Sequence, residues 1–534
     1  MQKVSHIYRH LSFCWGNHPT HHAPKGRLFP PLVETQGFPK VARFMKLERY
    51  EYFQGLSLAL MYAALLLVIS ACQNGPASSK QATSTAISKQ HSTISVPIQL
   101  ASHHSSTPTS LPTQGNNSGS PPGPVPSGSG SVPAAFPHYL SFGVMSTPGT
   151  ASLLDAMRSQ NGTTFNFRYQ YLAGGVNTNS GWETWNQPAG QFATYYMQES
   201  AQHGYTPAFV YYEICQSNGP HPAGYCSGHD LDQDTANIAS AATMKAYYAN
   251  WVLLLQKIGA YGKPVLVIVE PDLWGFLQMA SHGTDNAANV PASVSSSGYA
   301  DAAGFPNTAQ GFAWALLHMR DKYAPKATLA LHASLWATSI DVGSDTRTSL
   351  DIAGTAKKEA NFLNSAGLTG NPRGVSSWDL LSNDVADHDS GQPGARTWWD
   401  RYNHTFPNFA RYLNFIGLLS QDVHRRVVMW QVPIGNQYFD TMDNSAGHYQ
   451  DNRAEYILGN ISSFATVGII AVLFGPGNGG TMSIDKMNDG ITNPLPISTY
   501  ECNLCNNHRS IYADDDGGYL RIFIGLYMRH PVAI

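Results

Sequence analysis

Eight short apolar runs after Phe136, separated by longer amphipathic segments, constrain this chain more than any other feature. They are HYLSFGVM, FNFRYQYL, PAFVYYEI, PVLVIVEPD, ATLALHAS, VSSWDLLSND, RVVMWQVPIGN and VGIIAVLFGPG. A run that is apolar along its whole length is buried on both faces, the habit of a parallel strand covered by helices. Helical periodicity between the runs predicts helices over Ser152 to Gln160, Phe192 to His203, Ala236 to Ile258, Ala309 to Tyr323 and Trp399 to Leu419. Eight strand–helix units predict an α/β fold, a (β/α)8 TIM-like barrel over 136–534 with enlarged loops. A doubly wound sheet is the alternative, but no GxGxxG fingerprint follows the first run.

In such folds ligands bind at the carboxyl ends of the strands, and acids collect there in this sequence. Glu213 ends the third run and Glu270 and Asp272 the fourth; Asp379 and Asp384 belong to the sixth, with Asp387 and Asp389 just beyond. Glu270, Asp272, Glu213, Asp384 and Asp387 are the candidate catalytic groups. Arg168, Tyr169, His332, Trp336, Trp430 and Gln431 are the candidate substrate-binding groups, with His332 and Trp430 read as packing or sugar-stacking groups rather than proton carriers. An unpaired charge on an apolar strand is costly, so Arg168 is expected to meet one of these carboxylates. Structural roles compete throughout. Glu270 could hold Arg168 or a backbone amide, Asp272 could cap the segment after it, and Asp384 and Asp387 could shape turns.

Charged residues make up 13% of the chain and aromatics 11%, with a formal net charge of -3. That balance gives no electrostatic case for nucleic acid and suits an exported protein that handles neutral polar ligands. Cys215 with Cys226, and Cys502 with Cys505, read as two local disulfides, a four-cysteine zinc site being the alternative. HYQDNRAEYIL reads as a helix start with Asp451 and Arg453 in its first turn, or as a substrate loop. DDDGGYLR reads as a turn into the last helix, with a calcium loop as the alternative. No cofactor or metal is expected.

Residues 45–72 place Lys46 and Arg49 before an apolar stretch that ends in Ile69-Ser70-Ala71-Cys72. That ending resembles the lipobox of bacterial lipoproteins. The resemblance implies cleavage before Cys72, a lipid on its sulfur, and an anchor on the outer face of the cell membrane. Residues 1–44 read as an upstream extension preceding a true start at Met45. Residues 73–135, rich in Ser, Thr, Pro and Gly, read as a flexible tether.

VLVIVEPDLWGFL resembles the strand-end motif of glycoside hydrolase family 6 cellulases, whose strand ends in Glu-Pro-Asp within a distorted barrel. FVYYEICQSNG and ATLALHASLW take the places of that family's preceding and later strands. The family's aspartate-rich acid loop is replaced here by Glu213-Ile-Cys-Gln216-Ser-Asn218. The resemblance implies an inverting glycosidase. Clustered carboxylates and aromatics lead to the same expectation of a polysaccharide hydrolase, acting on a β-glucan, with Glu270 or Asp272 as one catalytic carboxyl and Glu213 or a residue of the 384–389 loop as the other. A non-catalytic carbohydrate-binding lipoprotein and an esterase are the alternatives, although no G-x-S-x-G elbow occurs.

Overall fold

The computed structural model describes residues 126–391, 397–437, 449–477 and 519–534. The expected upstream extension, the expected signal segment with Cys72, most of the expected tether, and Cys502 with Cys505 lie outside these residues. Among the described residues no helix is long and apolar enough to cross a membrane.

All eight apolar runs form strands: β1 (Ser141–Met145), β2 (Phe167–Ala173), β3 (Thr206–Tyr212), β4 (Val265–Val269), β5 (Ala327–His332), β6 (Leu380–Asp384), β7 (Val427–Pro433) and β8 (Ile469–Gly475). Each pairs in parallel with its sequence neighbour, and β8 pairs with β1 to close a (β/α)8 barrel. Alternation along the strands divides the core. Phe167, Tyr169, Tyr171, Val210, Ile268, Ala330, Leu380, Val428 and Trp430 pack together inside the barrel, while residues such as Leu172, Phe209, Tyr211, Val267 and Met429 meet the surrounding helices.

The helices are α1 (Ala151–Asn161), α2 (Gln191–Gln202), α3 (Asp230–Ala239), α4 (Ala241–Tyr261), α5 (Leu273–Ala280), α6 (Ala309–Tyr323), α7 (Ile352–Leu363), α8 (Phe409–Val423), α9 (Arg453–Gly459), α10 (Ile461–Thr466) and α11 (Tyr519–Tyr527). Two expected helices change. The segment Ala236 to Ile258 breaks at Ser240, whose side chain accepts from the Thr243 amide and caps α4. The segment expected from Trp399 starts only at Phe409, because Pro407 ends the preceding loop and the Asn408 side chain caps α8 through the Arg411 amide. The apolar periodicity upstream comes from Trp399 itself, which packs on Phe409 and Tyr412 from the loop.

Part of the expected tether is docked. The Gly128 amide donates to Thr466 O, Ser129 pairs with Ser420, and Gly130 O accepts from Arg426. These contacts lie at the end of the barrel where β7 and β8 begin. Phe136 packs at a tilt against Phe167 at the same end, 4.7 Å between centroids.

Candidate functional site

Strand β4 leaves the barrel through Glu270-Pro271-Asp272, and the backbone there is unusual: Glu270 has φ 47° and Asp272 φ 70°. Non-glycine residues rarely hold this region unless the surroundings enforce it. The enforcement is visible. The Glu270 amide donates to Tyr211 O at 2.7 Å, and the Glu270 carboxyl accepts from the amides of Glu213 and Ile214, each at 3.2 Å. Trp274 Nε1 donates back to Val269 O at 3.0 Å. Glu270 is thus fully buried and spent on tying the end of β4 to the end of β3. Burial pushes its carboxyl up to about 8, against the opposing pull of the Ile214 and Glu213 amides and the Tyr247 hydroxyl.

Asp272, turned by that bend, immediately precedes α5 but its side chain makes no capping bond. One of its oxygens, one of Asp384 and a nitrogen of His332 all lie within 4.8 Å of one another. Asp384 is the last residue of β6, and one of its oxygens, Oδ2, is buried with no hydrogen-bond partner among the described residues. Asp387 follows on the short turn Ala386–His388, and its Oδ2 accepts from Trp336 Nε1 at 3.2 Å. Burial holds Asp272 well above the usual carboxylate range, and the Asp387, Asp384, Asp230 and Asp234 carboxylates add to it. Asp384 is raised by burial and by Asp387, opposed by His388 and the Ala386 amide. Two like charges this close in a largely buried site do not both ionise readily, so the pair holds a proton.

Aromatic and amide groups line the floor. Tyr171 donates to Gln431 Oε1 at 2.6 Å, and its hydroxyl is kept protonated by burial, Tyr169 and the three aspartates. Gln431 sits at φ 51°, where the β7–β8 register shifts between Met429 and Val432, and this irregularity turns its side chain toward Tyr171. Trp430 is wholly buried against Tyr169, Tyr171 and His332, so it packs and offers no face to a sugar. Trp336 is only half-buried and packs on Phe276, 4.6 Å between centroids. A side chain at Gly275 would strike that indole, which explains the glycine within α5.

The loop that carries Asp387 is braced from two other strands. Fully buried Arg453 donates to Ser390 Oγ and to Asp451 Oδ2, each at 2.9 Å, to Thr397 O at 2.9 Å, and to His388 O, and it lies over Trp399. Asp451 accepts from the Ser390 amide at 2.6 Å. From the β5 side, Asp341 pairs with His388 at 2.7 Å, its carboxyl lowered by His388 against the cost of burial. The HYQDNRAEYIL string therefore does begin a helix, but Asp451 and Arg453 reach beyond its first turn to hold this loop.

The structure does not bring every expected residue here. Arg168 is buried on the outer face of β2, bonded to Ser146, Ser200, Thr147 O and Glu199 and stacked on Tyr196. Alternation decides this, since Tyr169 and Tyr171 take the inner face. Its carboxylate comes from α2, not from the strand-end acids. Tyr169 is fully buried with its hydroxyl against Gly475, beneath the cleft. Glu213 is fully buried, raised by burial, Glu270 and Glu183. Asp379 precedes β6 at the opposite end of the barrel, where it pairs with Arg320 at 2.7 Å. Asp389 is buried within the braced loop. Cys215 and Cys226 are joined, with Cα atoms 5.4 Å apart, and staple the loop after Glu213. Sequence reasoning missed Tyr171 and also Ser382 of β6, whose Oγ lies 3.2 Å from His332 Nδ1. Tyr171 was detectable, because it is two residues from Tyr169 in a strand with period two.

No protein-family model matches this chain, and no curated protein matches it. Solved structures do. The GH26 domain of an endo-β-mannanase/endo-β-glucanase from Prevotella bryantii is 10% identical, covering 65% of this chain and 87% of that one, with TM-score 0.34. A Bacillus subtilis mannanase is 12% identical over 67% and 90%, with TM-score 0.33. The catalytic domain of Cellulomonas fimi Cel6B is 13% identical over 74% and 95%, with TM-score 0.33. Similarity at this level carries nothing about chemistry, and the barrel rests on its own strand order.

Proposed function

We propose that the chain is a glycoside hydrolase acting on a polysaccharide, with a β-glucan as the first substrate to try, and that Asp272 and Asp384 are its catalytic carboxyls. The observation that carries this reading is the approach of those two carboxylates to within 4.8 Å at the open end of a closed parallel barrel. Glycoside hydrolysis needs one carboxyl protonated to assist the departing oxygen and one ionised partner, and a coupled pair that shares a proton provides both. The spacing is nearer the ~5 Å of double displacement than the ~6.5–9.5 Å of single displacement, so retention is expected in place of inversion.

Glu270 and Glu213 are not part of the proposed machinery. Asp387 and Trp336 form the rim that a sugar would meet. Attachment to the membrane through lipidated Cys72 is proposed with it, and radiolabelled fatty acid incorporation lost in Cys72→Ala tests that part.

The test is reducing-sugar release from a panel of polysaccharides by the full chain, with Asp272→Asn and Asp384→Asn beside it. Both variants should keep the native circular dichroism spectrum and oligosaccharide binding by calorimetry while losing cleavage. Oligosaccharide binding without cleavage by the unaltered protein would replace the hydrolase with a carbohydrate-capture protein. NMR of the first-formed anomer reads the stereochemistry.

A further inference from the structure

His332 stands beside two carboxylates, yet no ion pair with either is formed among the described residues. Its Nδ1 lies 3.3 Å from Trp430 Nε1, with the indole hydrogen directed at it, and 3.2 Å from Ser382 Oγ. An indole N–H only donates. Nδ1 must therefore accept, and a neutral imidazole that accepts at Nδ1 carries its hydrogen on Nε2. Moving the hydrogen to Nδ1, or adding a second one there, would set it against the hydrogen of Trp430. A cation bound at Nδ1 would have to displace the indole, and one bound at Nε2 would have to displace the hydrogen that the indole keeps there.

We propose that Trp430 fixes His332 as an uncharged Nε2–H donor that orients a hydroxyl oxygen, of water or substrate, between Asp272 and Asp384, and that His332 neither relays a proton nor binds a divalent cation. The fixed tautomer needs nothing from the hydrolase reading; only the identity of the hydroxyl rests on it. Burial acts in the same direction, pushing the imidazole down to about 3. The neighbours that face the ring are Asp272 after β4, Ser382 and Asp384 of β6, and Trp430 of β7. The carboxylates would favour an imidazolium, and the indole opposes it.

The experiment is long-range 1H–15N NMR of the histidine-labelled full chain, with the His332 signals assigned by their loss in His332→Gln. The expected result is a bare Nδ1 and a hydrogen-bearing Nε2 that do not change between about pH 5 and 8, the range in which an ordinary histidine titrates, or on addition of excess zinc. In Trp430→Phe, which removes the donor at Nδ1, the hydrogen should redistribute between Nδ1 and Nε2 while burial still keeps the ring uncharged. Ser382→Ala, which leaves the indole contact intact, should keep the unaltered pattern and serves if Trp430→Phe does not fold. A hydrogen on Nδ1, an imidazolium within that range, or a zinc-induced shift of His332 in the unaltered protein would overturn the proposal. No substrate is present, so loss of the hydrolase reading would not alter these spectra. Should hydrolysis be found, His332→Gln, which retains an N–H donor, should keep kcat and KM closer to native than His332→Leu.

Discussion

Two sets of acids stand at strand ends of this barrel, and their oxygens are engaged differently. Glu213 and Glu270 are sealed in: Glu270 spends its oxygens on backbone amides, and Glu213 lies beside it, away from solvent. Asp272, Asp384 and Asp387 crowd together at the rim, with one Asp384 oxygen that has no hydrogen-bond partner among the described residues and a half-buried tryptophan on Asp387. Only Pro271 separates Glu270 from Asp272. The difference arises from the backbone bend, which the first carboxylate secures and the second exploits. For Glu270 and Asp272, counting carboxyl oxygens against local amides separates the acid that ties strands together from the one left for other partners.

Substitution can break this contrast. The largest effect is expected from Asp272→Asn, which should lower kcat by about 10²–10⁴-fold, the usual worth of a positioned acid, with thermal stability unchanged or increased. Glu270→Gln should do the reverse, leaving kcat per folded molecule near native. Equal losses in the two variants would erase the distinction.

Arg453→Met leaves the Asp451 carboxylate buried without its partner, and should cost about 3–5 kcal/mol in denaturant unfolding. Arg453→Lys should cost less. Faster hydrogen exchange of the amides at 386–391 in Arg453→Lys would show that the brace sets the position of Asp387. Removing the staple through Cys215→Ser with Cys226→Ser frees a loop of sequence separation 11 and should cost about 2–3 kcal/mol.

The pH dependence sharpens the other side. Glu270 has a folded value raised to about 8, above that of the unfolded chain, so the folded state binds the extra proton between those values. Its contribution to stability is fully present below the unfolded value and is lost as pH rises toward 8. The melting temperature should fall across that window, and Glu270→Gln should flatten the fall; an unchanged slope would mean that Glu270 is ionised in the fold. The smallest effect belongs to Trp336→Phe, which removes one hydrogen bond to Asp387 and should change KM a few-fold, in keeping with about 1 kcal/mol.

The strands were legible because a parallel barrel demands uninterrupted apolar runs, and all eight supplied them. Helix ends were less so. Trp399 carries helical periodicity but packs from a loop, and Ser240 interrupts a continuous amphipathic pattern with a cap. Within the site, Asp272, Asp384 and Asp387 could be picked out by residue type and position. Glu270 could not be separated from Asp272, because the separation lies in two positive φ angles that no composition announces. Arg168 departs from expectation for a simpler reason: strand alternation puts it on the outer face of β2, where Glu199 of α2 is the carboxylate within reach. Partners from distant loops, such as Asp341 for His388 and Arg453 for His388, Ser390 and Thr397, depend on closure of the barrel and have no local signature.

The stretch from Pro126 to Phe136 grips the barrel beside the starting ends of β7 and β8, and the final residues, through Val532 and Ile534, close on Leu140 and His138 at that same pole. Whatever precedes the fold is thus fastened to the pole remote from the aspartates. On the hydrolase reading proposed above, a long polymer could cross the opposite mouth without meeting the segment that precedes the fold.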